Sequence, residues 1–315
     1  MNEYSEIARM EIYIAPVQGH TDAPWRHFHN KIYGGNHRFF TPFMRCEHAE
    51  IRPKDLRDFN NPLNEETDLE PQVIFRDTEE LDILLRSLAD AGANAVNLNM
   101  GCPFPLQTRR GRGAGFIANV TEAQKLPDLL AGYPDLRFSV KMRLGMEQPD
   151  EWKEIIGILN SLKLDNLYVH PRVARQQYGG ELYLDSFAEL LDASKNPVVF
   201  NGDIRTPEDM MRIADKFPGI NGIMTARGIL ARPSLAAEFE GEEWSREKRL
   251  EVMMQFHREL FRYYSETLCG DSQILSKIKP FWEYAEEEIG RKPWKAIRKA
   301  TNIVKYKSAV TQIEY

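Results

Sequence analysis

Cysteine is scarce: Cys46, Cys102 and Cys269 are the only three, widely spaced and odd in number. That excludes a disulfide framework and fits a reducing cytosol. Cys-x-x-Cys and His-Glu-x-x-His spacings are both missing, which removes the common zinc signatures. His20, His27, His29, His37, Cys46 and His48 do crowd the first part of the chain. However, His27 and His29 lie two apart on a predicted helix and point to different faces, so no metal site is read. No run approaches the ~18 apolar residues of a membrane span. Met1–Met10 carries Glu3, Glu6 and Arg9 without an apolar stretch, which argues against a secretory leader. A monomer in the cytoplasm, away from membranes, is expected. Repeats and low-complexity tracts are absent too. The net charge of -6 excludes a surface coated all over for nucleic acid, though not a local basic face.

What is present is an ordinary globular composition, 42% hydrophobic and 28% charged, over 315 residues. That length suits one large barrel with a small appendage. Short β-type runs recur at Ile12–Ala15, Arg38–Thr41, Gln72–Phe75, Ala95–Leu98, Phe138–Met142, Leu167–His170, Pro197–Phe200 and Gly222–Met224. Amphipathic helical patterns separate them, among them Thr78–Ala91, Glu151–Leu162, Leu184–Ala193 and Thr206–Lys216. Asp22 ahead of Pro24, Asp77 and Thr206 are good helix starts. Eight strands alternating with helices predict a (β/α)8 TIM barrel. A doubly wound open sheet is the alternative, disfavoured because no Gly-x-Gly-x-x-Gly turn follows the first strand. From about Glu242 the strand signals stop. The chain therefore reads as a barrel over 1–241 and an all-α helical domain over 242–315.

Active sites of such barrels lie at the C-terminal strand ends. Asn97-Leu98-Asn99-Met100-Gly101-Cys102-Pro103 runs from a buried strand into a corner, where Gly101 and Pro103 force the chain to turn. Cys102 has little packing value there, and its thiol is aimed above the strand ends. Lys141 ends an apolar strand, and a buried ammonium needs a partner. It serves either as a Schiff-base lysine or as a positive charge against an anionic ring such as reduced flavin. In the second case Gln72, Asn99 and His170 are hydrogen-bond partners for a planar heterocycle. Asn201-Gly202-Asp203 and Ala226-Arg227-Gly228, after strands seven and eight, point to a phosphate.

Basic residues are unevenly spread. Arg291, Lys292, Lys295, Arg298, Lys299, Lys305 and Lys307 follow one another without an acidic residue between Arg291 and Lys307. Arg109, Arg110 and Arg112 follow Cys102, Arg143 follows Lys141, and Arg172 and Arg175 follow His170. On a net-acidic protein this concentration asks for a polyanion. Helical spacing puts Arg291, Lys295, Arg298 and Lys305 near one stripe, with Trp294, Ile297, Ala300 and Val304 turned inward.

Seven stretches together resemble the flavin-dependent tRNA-dihydrouridine synthase family. They are Ala-Pro-Val-Gln-Gly-His-Thr-Asp (15–22), Asn-Met-Gly-Cys-Pro (99–103), Gly-Arg-Gly-Ala-Gly (111–115), Lys-Met-Arg-Leu-Gly (141–145), His-Pro-Arg (170–172), Asn-Gly-Asp-Ile (201–204) and Met-Thr-Ala-Arg-Gly (224–228). The resemblance implies an FMN barrel followed by a helical RNA-binding domain. Pro16, Val17 and Gln18 would border the flavin, and Gln72 would bond its ring. Lys141 would sit near its N1/O2 side. His170, Asn201, Gly202 and Asp203 would hold the ribityl chain and phosphate, with Ala226 and Arg227 on the phosphate. NADPH would reduce FMN, hydride would pass from N5 to C6 of a flipped-out uridine, and Cys102 would protonate C5. RNA, most simply tRNA, would meet Arg109, Arg110, Arg112, Arg143, Arg172, Arg175, Arg291, Lys292, Lys295, Arg298 and Lys299. Ribosomal RNA is the alternative substrate. A flavin reductase of a small pyrimidine or enone has no use for the basic tail. An aldolase-type barrel would be colourless, and a non-catalytic RNA-binding barrel gives Cys102 and Lys141 no purpose.

Overall fold

The computed structural model describes residues 10–35 and 37–313. The leader reading at Met1–Met10 therefore lies, except for Met10, outside the described residues. In chain order the strands are β1 (Glu11–Ile14), β2 (Arg38–Phe40), β3 (Cys46–Glu47), β4 (Glu50–Ile51), β5 (Asp68–Glu70) and β6 (Gln72–Val73). They continue as β7 (Ala95–Met100), β8 (Arg137–Gly145), β9 (Leu164–Val173), β10 (Val198–Phe200) and β11 (Gly222–Thr225). β3 and β4 form a separate antiparallel hairpin. The other nine are parallel, in the order β5-β2-β1-β11-β10-β9-β8-β7-β6.

The two ends of that order meet. Only Pro71 separates β5 from β6, and a proline has no N–H to carry a ladder onward. One strand is thus written in two pieces: Glu70 pairs with Phe40 of β2, and Gln72 with Asn97 of β7. The sheet closes into an eight-stranded barrel, which rules out the open doubly wound alternative.

Helix starts follow the sequence signals. Asp22 accepts from Trp25 N, Asp77 from Glu80 N at 2.8 Å, and Thr206 forms a reciprocal box with Asp209. The Leu184–Ala193 helix has the expected bounds, and Lys153–Leu159 is shorter than read. Four strands run past their expected ends, β7 to Met100, β8 to Gly145, β9 to Val173 and β11 to Thr225. Lys141 and His170 therefore sit inside strands, not at their ends.

Along each strand alternate side chains face inward. One half of the lumen is apolar and aromatic: Tyr13, Ala15, Phe40, Tyr168, Val199 and Met224 form their own cluster, with Tyr168 edge-on to both Tyr13 and Phe40. The other half, from β5 to β8, carries Glu70, Gln72, Asn97, Asn99, Ser139 and Lys141. After β11 the described chain is helical, with Arg246–Thr267 the longest helix. It lies on the first barrel helix, Ala23–Tyr33, through Phe256 against Trp25 and His29. No helix among the described residues is long and apolar enough to cross a membrane.

Candidate active site

A cavity of about 630 Å³ opens at the C-terminal end of the barrel. Cys102 lines it together with Pro16, Val17, Gln18, Gln72, Asn99, Lys141, His170, Asn201, Gly202, Asp203, Ala226 and Arg227. The structure thus brings together every residue read as catalytic or cofactor-binding.

Its floor is set by a directed chain of hydrogen bonds. Buried Glu70 accepts from Ser139 Oγ, which accepts from Asn97 Nδ2. Asn97 Oδ1 accepts from Gln72 Nε2 at 2.8 Å, and Gln72 Oε1 from Asn99 Nδ2 at 2.7 Å. Asn99 Oδ1 ends the chain on the backbone N–H groups of Gly101 (3.0 Å) and Cys102 (2.9 Å). Burial raises the Glu70 pKa to about 7; in its carboxylate form it can only accept, and so orients Ser139 and then each amide in turn. Asn99 therefore holds the Cys102 corner. On the far side Gly113, at φ +58, packs so closely that a Cβ would stand 2.7 Å from Cys102 O. Ala114 N also donates to Cys102 O at 3.1 Å, which gives the glycine-rich 111–115 stretch a local purpose.

Burial raises the Cys102 pKa, against a lowering by the Phe104 backbone hydrogen bond, Arg143 and Lys141. The group is thus a thiol at neutral pH, a proton donor and not a thiolate nucleophile. Lys141 pairs across the sheet with Asn99 on one side and Tyr168 on the other. Burial, then repulsion from Arg143, pulls it down to about 7, and no carboxylate among the described residues opposes this. An anion placed beside it would favour its charged form. His170 is held neutral by burial and then by the surrounding cations Arg143, Lys141, Arg172 and Arg227. Its Nε2 faces Arg172 Nη1 at 3.3 Å. Since arginine only donates, the imidazole proton belongs on Nδ1.

Asp203, at φ +46, accepts from Arg172 Nη1 at 3.0 Å and lies 3.4 Å from Arg227 Nη2. It anchors these two arginines at the cavity wall. Gly228 joins the same two loops: a Cβ there would fall 1.9 Å from Ile204 O. Asn201 is buried and donates to Met224 O at 2.8 Å.

The basic residues divide. Arg109, Arg110, Arg175, Arg291, Lys292, Lys295, Arg298 and Lys299 are exposed. Three of those expected to meet RNA are buried. Arg112 is 6% exposed with its guanidinium bidentate on Glu80, and Arg172 is spent on Asp203 and Gly180 O. Arg143 is buried in the cavity wall, donating to Val173 O at 2.9 Å, with its pKa lowered by burial to about 10. Each is taken up by a specific acceptor, which a charge count along the sequence does not reveal. The tail stripe also breaks: the helix Arg291–Lys299 ends before Ala300, and Asn302 caps a new one, Ile303–Val310. Lys305 thus leaves the stripe, and Val304, expected inside, is 78% exposed.

Several wall residues escaped the sequence reading. Phe104, Tyr178 and Tyr284 all line the cavity, with Tyr178 below the guanidinium groups of both Arg143 and Arg227. Asn97-x-Asn99, two amides on one face of a buried strand, was the available signal for the polar chain; Tyr178 and Tyr284 carried none. His29, from the early histidine cluster, stacks on Trp25 and bonds Pro233 O at 3.0 Å. Among the described residues no three His, Cys, Asp or Glu side chains are grouped to hold a metal ion.

A family model described as "Dihydrouridine synthase (Dus)" matches residues 13–313. A probable tRNA-dihydrouridine synthase of Staphylococcus epidermidis is 31% identical over 278 residues, covering 84% of this chain and 82% of that protein. Probable tRNA-dihydrouridine synthase 2 of Bacillus subtilis is 29% identical over 273 residues, covering 84% and 82%. Among solved structures the barrel resembles the old yellow enzyme of Trypanosoma cruzi (TM-score 0.53, 10% identity, covering 79% of this chain and 96% of that one). Morphinone reductase is similar to the same degree (TM-score 0.52, 12% identity, 74% and 87%). At such identities these two support the fold alone.

Proposed function

The chain belongs to the dihydrouridine synthase family, and from that premise we propose that it reduces a uridine of tRNA to 5,6-dihydrouridine, with FMN as cofactor and NADPH as reductant. Lys141 is the observation that carries the cofactor reading. It is an ammonium without a carboxylate partner in the floor of a ring-sized cavity, which fits a ring that becomes anionic on reduction. Gln72 has a second amide N–H left for such a ring. Arg227, steadied by Asp203, is the candidate phosphate ligand, with Gly202 and Ala226 leaving room for it. When bound, the flavin supplies the hydride chemistry. The chain's own part is to exclude water, orient the base and move one proton. Cys102 holds that proton on Sγ, kept there by burial, and releases it to the carbon left electron-rich. Arg109, Arg110 and the exposed bases of Arg291–Lys299 bind RNA phosphates. The division into a barrel (1–241) and an RNA-binding helical unit (242–315) and action as a cytoplasmic monomer belong to the same reading.

The test is direct. The purified protein should be yellow and, with NADPH, should convert uridine in an unmodified tRNA transcript, read as a 2-Da mass gain in the digested nucleoside. Cys102→Ala should keep its flavin and its oxidation of NADPH yet lose about 10²–10⁴-fold in RNA reduction. Full turnover in that variant would remove Cys102 from the chemistry. Conversion of free uracil but not of the transcript would favour the small-molecule reading.

A further inference from the structure

Single exposed apolar side chains are ordinary, whereas those grouped at a cavity ask for a partner. Five are exposed among the described residues: Phe104, Leu106, Tyr178, Met211 and Val304. Two of them line the active-site cavity, and a third is close to one of these in sequence. Phe104 (55% exposed) and Tyr178 (57%) line the mouth of the active-site cavity, and Leu106 (60%) is two residues from Phe104.

Phe104 is the better placed of these. It comes two residues after Cys102, and its backbone hydrogen-bonds the Cys102 side chain. Prolines flank it on both sides, as Pro103-Phe104-Pro105. Pro103 has a fixed φ, and a residue before proline is confined to extended backbone. Phe104 indeed sits at φ -64, ψ 124, ahead of the short helix Pro105–Thr108. A ring so held loses little conformational freedom when it meets a partner. One turn further on, Arg109 and Arg110 are both exposed, so the apolar tip is backed by positive charge. An aromatic tip beside guanidinium groups has the makings of a nucleic-acid contact, in which rings stack on bases and arginines take phosphates.

We propose that Phe104 is a wedge: its ring stacks in the gap that the target uridine leaves in a folded RNA, and so holds that uridine out in the cavity beside Cys102. A base inside a stack must be unpaired or unstacked before its ring carbons can be reached, and apolar side chains that fill the vacated step offset that cost. This rests on the RNA-reduction reading above and adds to it a residue that selects structured RNA. The occupant of the patch is thus a base of the substrate RNA, flanked by phosphates on Arg109 and Arg110.

The experiment compares two RNAs, an unmodified tRNA transcript and a short oligouridylate with no stack to open, with flavin content reporting that each variant is folded. In Phe104→Ala, kcat/KM on the transcript should fall by about tenfold or more beyond any fall on the oligouridylate, the size of one lost base–aromatic stack. Phe104→Trp should recover the transcript to within about threefold of the parent. Equal losses on both RNAs, no loss on either, or failure of tryptophan to restore the transcript would each overturn the wedge. No loss on either would leave the patch as a contact for something other than RNA. A parent protein that reduces neither RNA would overturn the RNA reading itself, and this inference with it.

Discussion

Lys141 shows what one unpaired charge does. An unfolded lysine titrates near ~10.4, whereas burial and Arg143 hold this one at about 7. Between those values the unfolded chain carries a proton that the folded chain lacks. Flavin-free protein therefore loses stability as pH falls from ~10.4 to about 7, and no further below that. Lys141→Met should raise the melting temperature of the flavin-free protein at neutral pH, by about 2–4 °C per kcal/mol recovered. The same change should weaken FMN by about ten- to a hundredfold through the lost charge-assisted contact. For the parent, calorimetric titration at pH 6 and pH 9 should find weaker FMN binding at the higher value, because Lys141 must then be protonated on binding. An equal affinity at both would mean that Lys141 does not face the cofactor's charge. Cys102 gives the converse case. With its pKa raised by burial, it should react with iodoacetamide at pH 7 more slowly than exposed Cys269, by mass mapping of the labelled peptides. Faster labelling of Cys102 would identify a thiolate and remove its role as donor.

At the scale of elements, the helix Arg291–Lys299 buries Pro293 and Ile297 and leaves five basic side chains outside, with Arg298 over the Trp294 ring at 4.4 Å. Charge reversal at Arg291, Lys295 and Arg298 should weaken tRNA binding and flatten the logarithmic salt slope by about 0.7–0.9 per lost phosphate contact. Filter-binding across a salt series measures it, and an unchanged slope would make this helix a solvated face. The strands were legible because apolar runs, caps and turn residues are local signals. So were the residues following them, since a barrel sends its strand ends to one rim. The Glu70-to-Asn99 chain was not, because its members come from β5, β6, β7 and β8 and meet only through register. Nor was the break at Ala300, where the Asn302 cap overrides a spacing that ran straight on. Arg112 and Arg172 look identical to surface arginines until Glu80 and Asp203 are placed beside them.

For the whole molecule, barrel and tail share one apolar core. Asp22 caps the first barrel helix and also accepts from Tyr264 OH at 2.8 Å and Lys277 Nζ at 2.7 Å. Fully buried Phe256 lies among Trp25, His29 and Tyr33. Phe256→Ala should cost about 3–5 kcal/mol and lower a single calorimetric transition. Two separate transitions in the parent would show that barrel and tail unfold independently. The tail also reaches the site: Tyr284 is part of the cavity wall, and Glu283 meets His20 Nε2 at 3.0 Å. This sets a schedule for biosynthesis. β1 has to wait for β11, made some two hundred residues later, before the barrel closes, and the last piece of wall comes later still. At about 5–20 residues per second, ten seconds or more separate the first strand from Tyr284. A ribosome-bound chain thus carries most of the site's chemistry before it has the enclosure to use it, and competence waits on the synthesis of Tyr284.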